Sequence, residues 1–342
     1  MTRPTIRDLA NAAAVSVATV NRVLAGAANV RAPTRLLVQE AAERIGFYGL
    51  GTIQSRVAAS RPKYRFGVLL LQPHRPFYQN IAAALRRAVA ETMGAEIDLR
   101  IEFLEDLAPQ NTAARALNLA EHCQAICIVA AVHPTVTEAV AHIQARGVQV
   151  FALVGQLSAS GQVPYIGLDN WKVGRTAAWT FANVCKGPGK IGILMGNPRY
   201  RNQEMNEAGF RSYFREHAAG FTLLEPVSTF EAAAIAQDMT ERLLTDHPDL
   251  AGLYVSGGGI SGALAALRGL GRAGQIVTVG YDLFDVTRMA LLDGTMTLVI
   301  SHALDRLARE ALDVMIKACA APASGANLTR IVPFELYTRE NL

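Results

Sequence analysis

SVATVNRVL, residues 16–24, is the stretch whose reading decides the rest of the chain. Ser16 suits a helix N-cap, because its hydroxyl can accept from a free first-turn amide. At about 100° per residue, Val20, Val23 and Leu24 share one side of the helix; Val17, Ala18, Asn21 and Arg22 share the other. Upstream, Thr5-Ile6-Arg7-Asp8 reads as a capping box that opens a helix to about Ala13, with Ile6, Leu9 and Ala10 on one face. Only Ala14 and Val15 separate the two helices. Helices this short are marginal alone in water, and a third one supplies the missing apolar surface. Pro33 fits its first turn, Leu37, Val38, Ala41 and Ile45 recur at helical spacing, and Gly46 is a stop. Residues 1–46 therefore predict a small all-α helix-turn-helix domain.

Residues 5–47, TIRDLANAAAVSVATVNRVLAGAANVRAPTRLLVQEAAERIGF, resemble the DNA-binding headpiece of the LacI family of bacterial transcription regulators. Two positions depart from the family. Asn21 stands where Ser is usual, and Ala14 stands where the turn usually has Gly. The resemblance implies operator DNA as partner, read as a pseudo-palindrome by a homodimer, with Thr5, Ser16, Val17, Ala18, Thr19, Asn21, Arg22, Asn29 and Arg35 as the DNA-facing set. In helix-turn-helix proteins the second helix lies in the major groove with its first residues at the base edges. Short apolar Val17 and Ala18 can meet only thymine methyls there, whereas Arg22 can bond bidentately to guanine. A phosphate clamp is the plainer alternative for Arg22. Arg3, Arg7, Arg31 and Arg35 read as phosphate contacts or solvated charges.

The composition fits a larger protein behind this headpiece. A chain of 342 residues, 51% of them hydrophobic, suggests two or three domains and argues against disorder. Of the net charge of +4, residues 1–65 carry about +7 and the remainder about −3, a basic headpiece on a nearly neutral body. No run of about 18 uncharged apolar residues suggests a membrane span, and the N-terminus lacks the apolar core of a signal peptide; the expected compartment is the cytoplasm. Cys123, Cys127, Cys185 and Cys319 lack metal-ligand clustering and read as reduced thiols, so neither metal nor cofactor is expected.

Residues 47–65, FYGLGTIQSRVAASRPKYR, read as a hinge or linker. LacI regulators place a short hinge helix here that inserts a leucine into the minor groove. Gly49 and Gly51 weaken such a helix, the usual Ala-x-x-Leu ending is absent, and the nearest helical piece is Gln54 to Ala59. Apolar wedges kink DNA, and Val57 is a weak candidate. The expectation is a mobile tether that bends DNA little.

From Phe66 onward, continuous apolar strands alternate with amphipathic helices. That pattern means parallel sheets covered on both faces, and two such sets mean two doubly wound lobes. The body resembles type I periplasmic sugar-binding proteins, the fold that LacI regulators share. By that resemblance residues 66–342 form the effector-binding and dimerisation domain, with an N-lobe over about 66–168 and 302–327 and a C-lobe over about 170–298 and 328–342. The chain would cross between them near Leu168–Asn170, Leu298–Ser301 and Asn327–Val332.

Ligands of open α/β sheets bind beyond the carboxyl ends of the strands. That rule selects Gln72, Phe77, Tyr78, His133, Asp169, Asn170, Trp171, Arg201, Ser256, Asp282 and His302 as effector-binding candidates, the mix of carboxylate, amide and aromatic groups that holds a sugar or polyol. Asp282, in VGYD, matches the ligand-binding Asp of the family. Asp169 has helix capping as its alternative. Asn206 stands where the family often has a sugar-binding Arg, and Ser256-Gly257-Gly258-Gly259 replaces the usual Asn-Asp.

That loop carries a rival. Gly257-x-Gly259-x-x-Gly262 follows a strand, opens a helix and has Asp282 twenty residues beyond it, which fits a dinucleotide fingerprint. An NAD(H)-sensing regulator is therefore the alternative. No Ser/His/Asp, Cys/His or Lys/Tyr set stands at a readable spacing, so the chain does not read as an enzyme. The sequence reads best as a ligand-responsive repressor of sugar or polyol uptake and catabolism genes.

Overall fold

The computed structural model describes residues 3–27, 29–321 and 327–342. Residues 1, 2 and 28 of the expected headpiece, and 322–326 of the expected N-lobe, lie outside the described residues.

Contacts divide the chain into two compact units, one of residues 1–64 with 92–98 and one holding the rest. In the first, α1 (Ile6–Ala12), α2 (Val17–Leu24) and α3 (Ala32–Ile45) follow the caps read above. The Thr5 amide donates to Asp8 Oδ2 at 2.8 Å and the Asp8 amide to Thr5 Oγ1 at 3.3 Å, which closes the capping box. The Thr19 amide donates to Ser16 Oγ at 3.1 Å. Gly46 ends α3 in the left-handed conformation at φ 64°. Ala14 holds the turn at φ 53°, a region that costs a residue with a Cβ roughly 1–2 kcal/mol and glycine little.

The expected tether is corrected. Residues Leu50–Ala59 form a fourth helix, α4, that begins four residues before the predicted Gln54. Ile53 and Val57 are buried in the same core as Leu9, Val20, Val23 and Val38. The i,i+4 spacing of two β-branched residues buries one stripe, and that burial outweighs the roughly 1 kcal/mol cost of Gly51 in a helix. Val57 faces this core and is not presented as a wedge.

The body follows with β1 (Lys63–Leu71), α5 (Pro76–Glu91), β2 (Glu96–Leu104), α6 (Pro109–Ala120), β3 (Ala125–Ile128), α7 (Pro134–Ala145), β4 (Gln149–Leu153) and β5 (Tyr165–Leu168), the first residues of β1 and β2 belonging to the first unit. Then come α8 (Asn170–Val184), β6 (Lys190–Met195), α9 (Arg201–His217), β7 (Thr222–Leu223), β8 (Val227–Ser228), α10 (Ala233–Asp246), β9 (Leu250–Val255), α11 (Ile260–Gly269), β10 (Val277–Tyr281) and α12 (Asp285–Leu292). The chain closes with β11 (Leu298–His302), α13 (Leu304–Ala320), β12 (Arg330–Val332) and β13 (Phe334–Tyr337). β7 and β8 stay two short pieces because Pro226 between them has no amide to donate.

The strands form two sheets, ordered β12-β5-β4-β3-β1-β2 and β13-β11-β10-β9-β6-β7, with β8 also on β6. Each sheet is a lobe. The chain passes between them after β5, after β11 and after β12. Two predicted boundaries move. β11 runs to His302 within the C-lobe sheet, and β12 pairs with β5 in the N-lobe sheet, so the last crossing is at Pro333, just past the expected Asn327–Val332 stretch. Pro333 separates β12 and β13, which join different sheets.

Candidate functional site

On the headpiece, Val17, Ala18, Asn21 and Arg22 are exposed along one side of α2, while Val20 and Val23 are buried on the other. The Arg22 Nε donates to Ala18 O at 3.3 Å, which lays the guanidinium along the exposed side. Asn29 is exposed in the turn after α2. Arg35 Nη2 donates to Ala27 O at 2.9 Å and so braces that turn.

In the body, a cavity of about 470 Å³ lies between the lobes at the carboxyl ends of their strands. Volumes of roughly 300–1,000 Å³ are usual for small-molecule sites. Its wall includes Gln72, Phe77, Tyr78, Asn170, Ser256, Asp282 and His302, so seven of the candidates come together there. The other four do not line it. His133 caps α7, its Nδ1 accepting from the Thr135 amide at 3.2 Å. Asp169 caps α8, its Oδ1 accepting from the Lys172 amide at 3.1 Å, the plainer of its two readings. Trp171, one residue beyond Asn170, is rotated outward and 38% exposed. Arg201, in the first turn of α9, pairs instead with Glu204 at 2.8 Å.

Asp282 ends β10 at φ 60°, a turn that aims its carboxylate into the cavity. Its Oδ1 accepts the His302 amide at 3.0 Å and faces His302 Nδ1 at 2.8 Å. With a carboxylate as neighbour, the ring carries its proton on Nδ1. Oδ2 has no hydrogen-bond partner among the described residues. Phe77, from the other lobe, packs on His302 with ring centroids 5.2 Å apart. Gln72 Oε1 is buried at the same wall without a partner among the described residues. Burial pushes the Tyr78 phenol well above its ordinary value, so it stays protonated.

Asn206 is committed internally. With its amide oriented to suit its neighbours, it donates to Asn170 O at 3.0 Å and Asn202 O at 3.2 Å and accepts from the Tyr281 hydroxyl at 3.2 Å. Gly174 and Gly209 allow this close crossing of α8 and α9, since a Cβ at either would overlap backbone of the other helix.

Sequence reading missed two charged residues of the wall, Arg75 and Glu231. Arg75 stands after β1 in the N-lobe and Glu231 after β8 in the C-lobe. Arg75 Nη1 reaches Glu231 Oε2 at 2.5 Å and its Nη2 reaches Glu231 O at 3.3 Å. The second carboxylate oxygen accepts from Gln203 Nε2 at 2.7 Å. Gln203 Oε1 in turn accepts the amides of Gly196 and Asn197 at 2.8 and 2.9 Å. Burial lowers the Arg75 pKa, but the charge and hydrogen bond of Glu231 together with Tyr78 and Tyr200 more than offset it and leave the pKa raised, so the guanidinium stays charged. Phe230 and Glu231 both hold positive φ, 49° and 64°, a strain of roughly 1–2 kcal/mol each. That turn leaves Phe230 65% exposed at the cavity and points Glu231 across it.

Close internal approach, by this pair at Gly258 and by other groups beside it, accounts for the glycine-rich loop. A Cβ on Gly258 would overlap the Arg75 guanidinium and the Glu231 carboxylate, and one on Gly257 would overlap the Gly196 amide. Gly259 caps α11 at φ 98°, and a Cβ on Gly262 would overlap Ala233 O of α10. All three fingerprint glycines are used for internal close approach, so the dinucleotide reading loses its motif.

Comparisons with known proteins follow the same division. A family described as "Periplasmic binding protein domain" matches residues 66–322, and "Bacterial regulatory proteins, lacI family" matches residues 5–49. Neither supports a nicotinamide site. A D-ribose/D-allose-binding protein of Pseudomonas aeruginosa is 32% identical over 133 residues, which is 39% of this chain and 41% of that protein. The chain thus spans less than half the length of that curated relative. Two solved structures share the body's fold. A glucose-galactose binding protein of Geobacillus stearothermophilus has a TM-score of 0.75 at 16% identity, over 82% of this chain and 99% of that one. A solute binding protein of Actinobacillus succinogenes with bound D-allose has a TM-score of 0.73 at 18% identity, over 82% and 98%.

Proposed function

Given a chain that belongs to the periplasmic binding protein domain family over residues 66–322 and to the lacI family of bacterial regulatory proteins over residues 5–49, we propose a transcription repressor controlled by a monosaccharide or polyol. It acts in the cytoplasm as a homodimer on a pseudo-palindromic operator. Arg22, with Val17, Ala18 and Asn21, meets the base edges, and the effector sits between the lobes.

The observation that carries this reading is Asp282 Oδ2, without a partner among the described residues and aimed into a cavity walled by Phe77 and Phe230. A carboxylate accepts from two adjacent hydroxyls at once, and ring faces cover the C–H side of a sugar. Sugar ligands of the relatives named above support the same class. Repression is relieved only to the extent that the effector binds the lobe arrangements of the free and DNA-bound dimers unequally.

Thermal shift with a panel of monosaccharides, polyols and NAD(H) tests the proposal. Ligand at a hundred times its dissociation constant adds about 2.7 kcal/mol of stability, enough for a visible shift. A sugar or polyol should stabilise the protein and lose its effect in Asp282→Ala, whose ligand hydroxyls face no acceptor in a dry cleft. A panel without a hit, or an undiminished shift in Asp282→Ala, overturns the reading.

A further inference from the structure

Arg75 and Glu231 stand 156 residues apart in the chain and on opposite lobes, yet their side chains are only 20% and 7% exposed. Within the described lining of the cavity, Arg75 is the one Arg or Lys. We propose that Arg75 and Glu231 form a latch that holds the two lobes together over the ligand, and that by engaging the cleft's one guanidinium it bars anionic sugars and selects uncharged ones.

Three features argue that the pair is built into the fold. Gln203 anchors Glu231 from behind and is itself held by two backbone amides of the loop after β6. The left-handed turn at Phe230 and Glu231 is the local means of aiming the carboxylate across the cleft. Glycines at 196 and 258 clear the volume that the two side chains occupy, and Gly257 clears that of Gln203 behind them. A charge-assisted bond out of bulk water is stronger than one at the surface, and it is lost when the lobes part.

The specificity follows from charge. An anionic ligand must either take Arg75 from Glu231, leaving a buried carboxylate without its cation, or sit beside Glu231 and Asp282 unpaired. Both are costly in a dry site. An uncharged polyol disturbs neither group. This second half rests on the sugar reading above; the latch itself does not.

The two halves are tested separately. The Val132 amide of the N-lobe donates to Arg199 O of the C-lobe at 2.9 Å, so its hydrogen exchange reports lobe contact away from the pair. In the full chain without ligand, Arg75→Met and the isosteric Glu231→Gln should each speed exchange of that amide by roughly tenfold or more, and the double variant should add little. Gly258→Ala, which keeps both charges but crowds them apart, should do the same. Unchanged Val132 exchange in Glu231→Gln, with the protein folded, overturns the latch.

For selectivity, the probes are D-allose and D-galactose against D-glucuronate and D-glucose 6-phosphate in thermal shift. The wild type should respond to an uncharged sugar and not to the anions. Glu231→Gln, which frees Arg75, should gain a response to D-glucuronate. A wild type stabilised by D-glucuronate or D-glucose 6-phosphate overturns the selectivity. A wild type that ignores every probe defeats the sugar reading and the selectivity built on it, while the exchange result still decides the latch.

Discussion

Replacing Ile53 by alanine asks whether α4 is part of the headpiece or a tether beside it. The Ile53 side chain is fully buried among residues of α1, α2 and α3. The change removes three carbons, about 0.8 kcal/mol each in transfer terms, and leaves a cavity besides; such replacements cost roughly 2–5 kcal/mol. A domain of about 60 residues has only about 3–9 kcal/mol of stability to lose, at 0.05–0.15 kcal/mol per residue. Ile53→Ala should therefore melt the headpiece at modest temperature while the body stays folded. Gly51→Ala should have the opposite sign. A Cβ there meets nothing within 4 Å, and Gly to Ala inside a helix stabilises by about 1 kcal/mol. Hydrogen exchange of the full chain, read on peptides from α2 and from residues 50–59, reports both. Operator affinity by fluorescence anisotropy should follow the same order. Wild-type exchange across α2 in Ile53→Ala would return residues 47–65 to the role of a tether and refute the packing argument.

On DNA, Arg22→Ala should cost about 1–3 kcal/mol and relax preference at one base pair per half-site, measured across operator variants; an unchanged preference with uniformly weaker binding makes Arg22 a phosphate contact. Ala14→Gly should raise headpiece stability by roughly 1 kcal/mol, because Ala14 sits at φ 53°; a lower melting temperature contradicts the strain. Glu216 offers a pH prediction: bonds from Arg175, then Ser212, bring its carboxyl from the ordinary 4.5 down to about 2. A depressed carboxylate pKa contributes stability above the unfolded value and loses it as pH falls through the folded one. The difference in urea midpoint between wild type and Glu216→Gln should therefore shrink from about pH 5 toward about pH 2, and a constant difference would contradict the assignment.

Local chemistry was legible from the chain alone. Capping at Thr5 and Ser16, the exposed side of α2 and the alternation of buried strands with helices depend on residues within a turn or two of one another. The switch-point rule placed Asp282 and His302 at the cavity because strand order and strand ends are written in that alternation. Other features needed the folded molecule. Whether Asp169, Asn170 or Trp171 faces the cleft is a matter of 100° of helix rotation, fixed by how α8 packs on α9. Ile53 and Val57 announced a stripe, but only the core formed by α1, α2 and α3 shows that it outweighs Gly49 and Gly51. The glycines after β9 permit a phosphate cradle and a tight internal approach equally well as a sequence. The groups that meet them, Arg75 and Glu231 at Gly258, Gly196 and Gln203 at Gly257, and α10 at Gly259 and Gly262, show which one applies, since a glycine states only that space is needed and tertiary structure alone supplies what fills it.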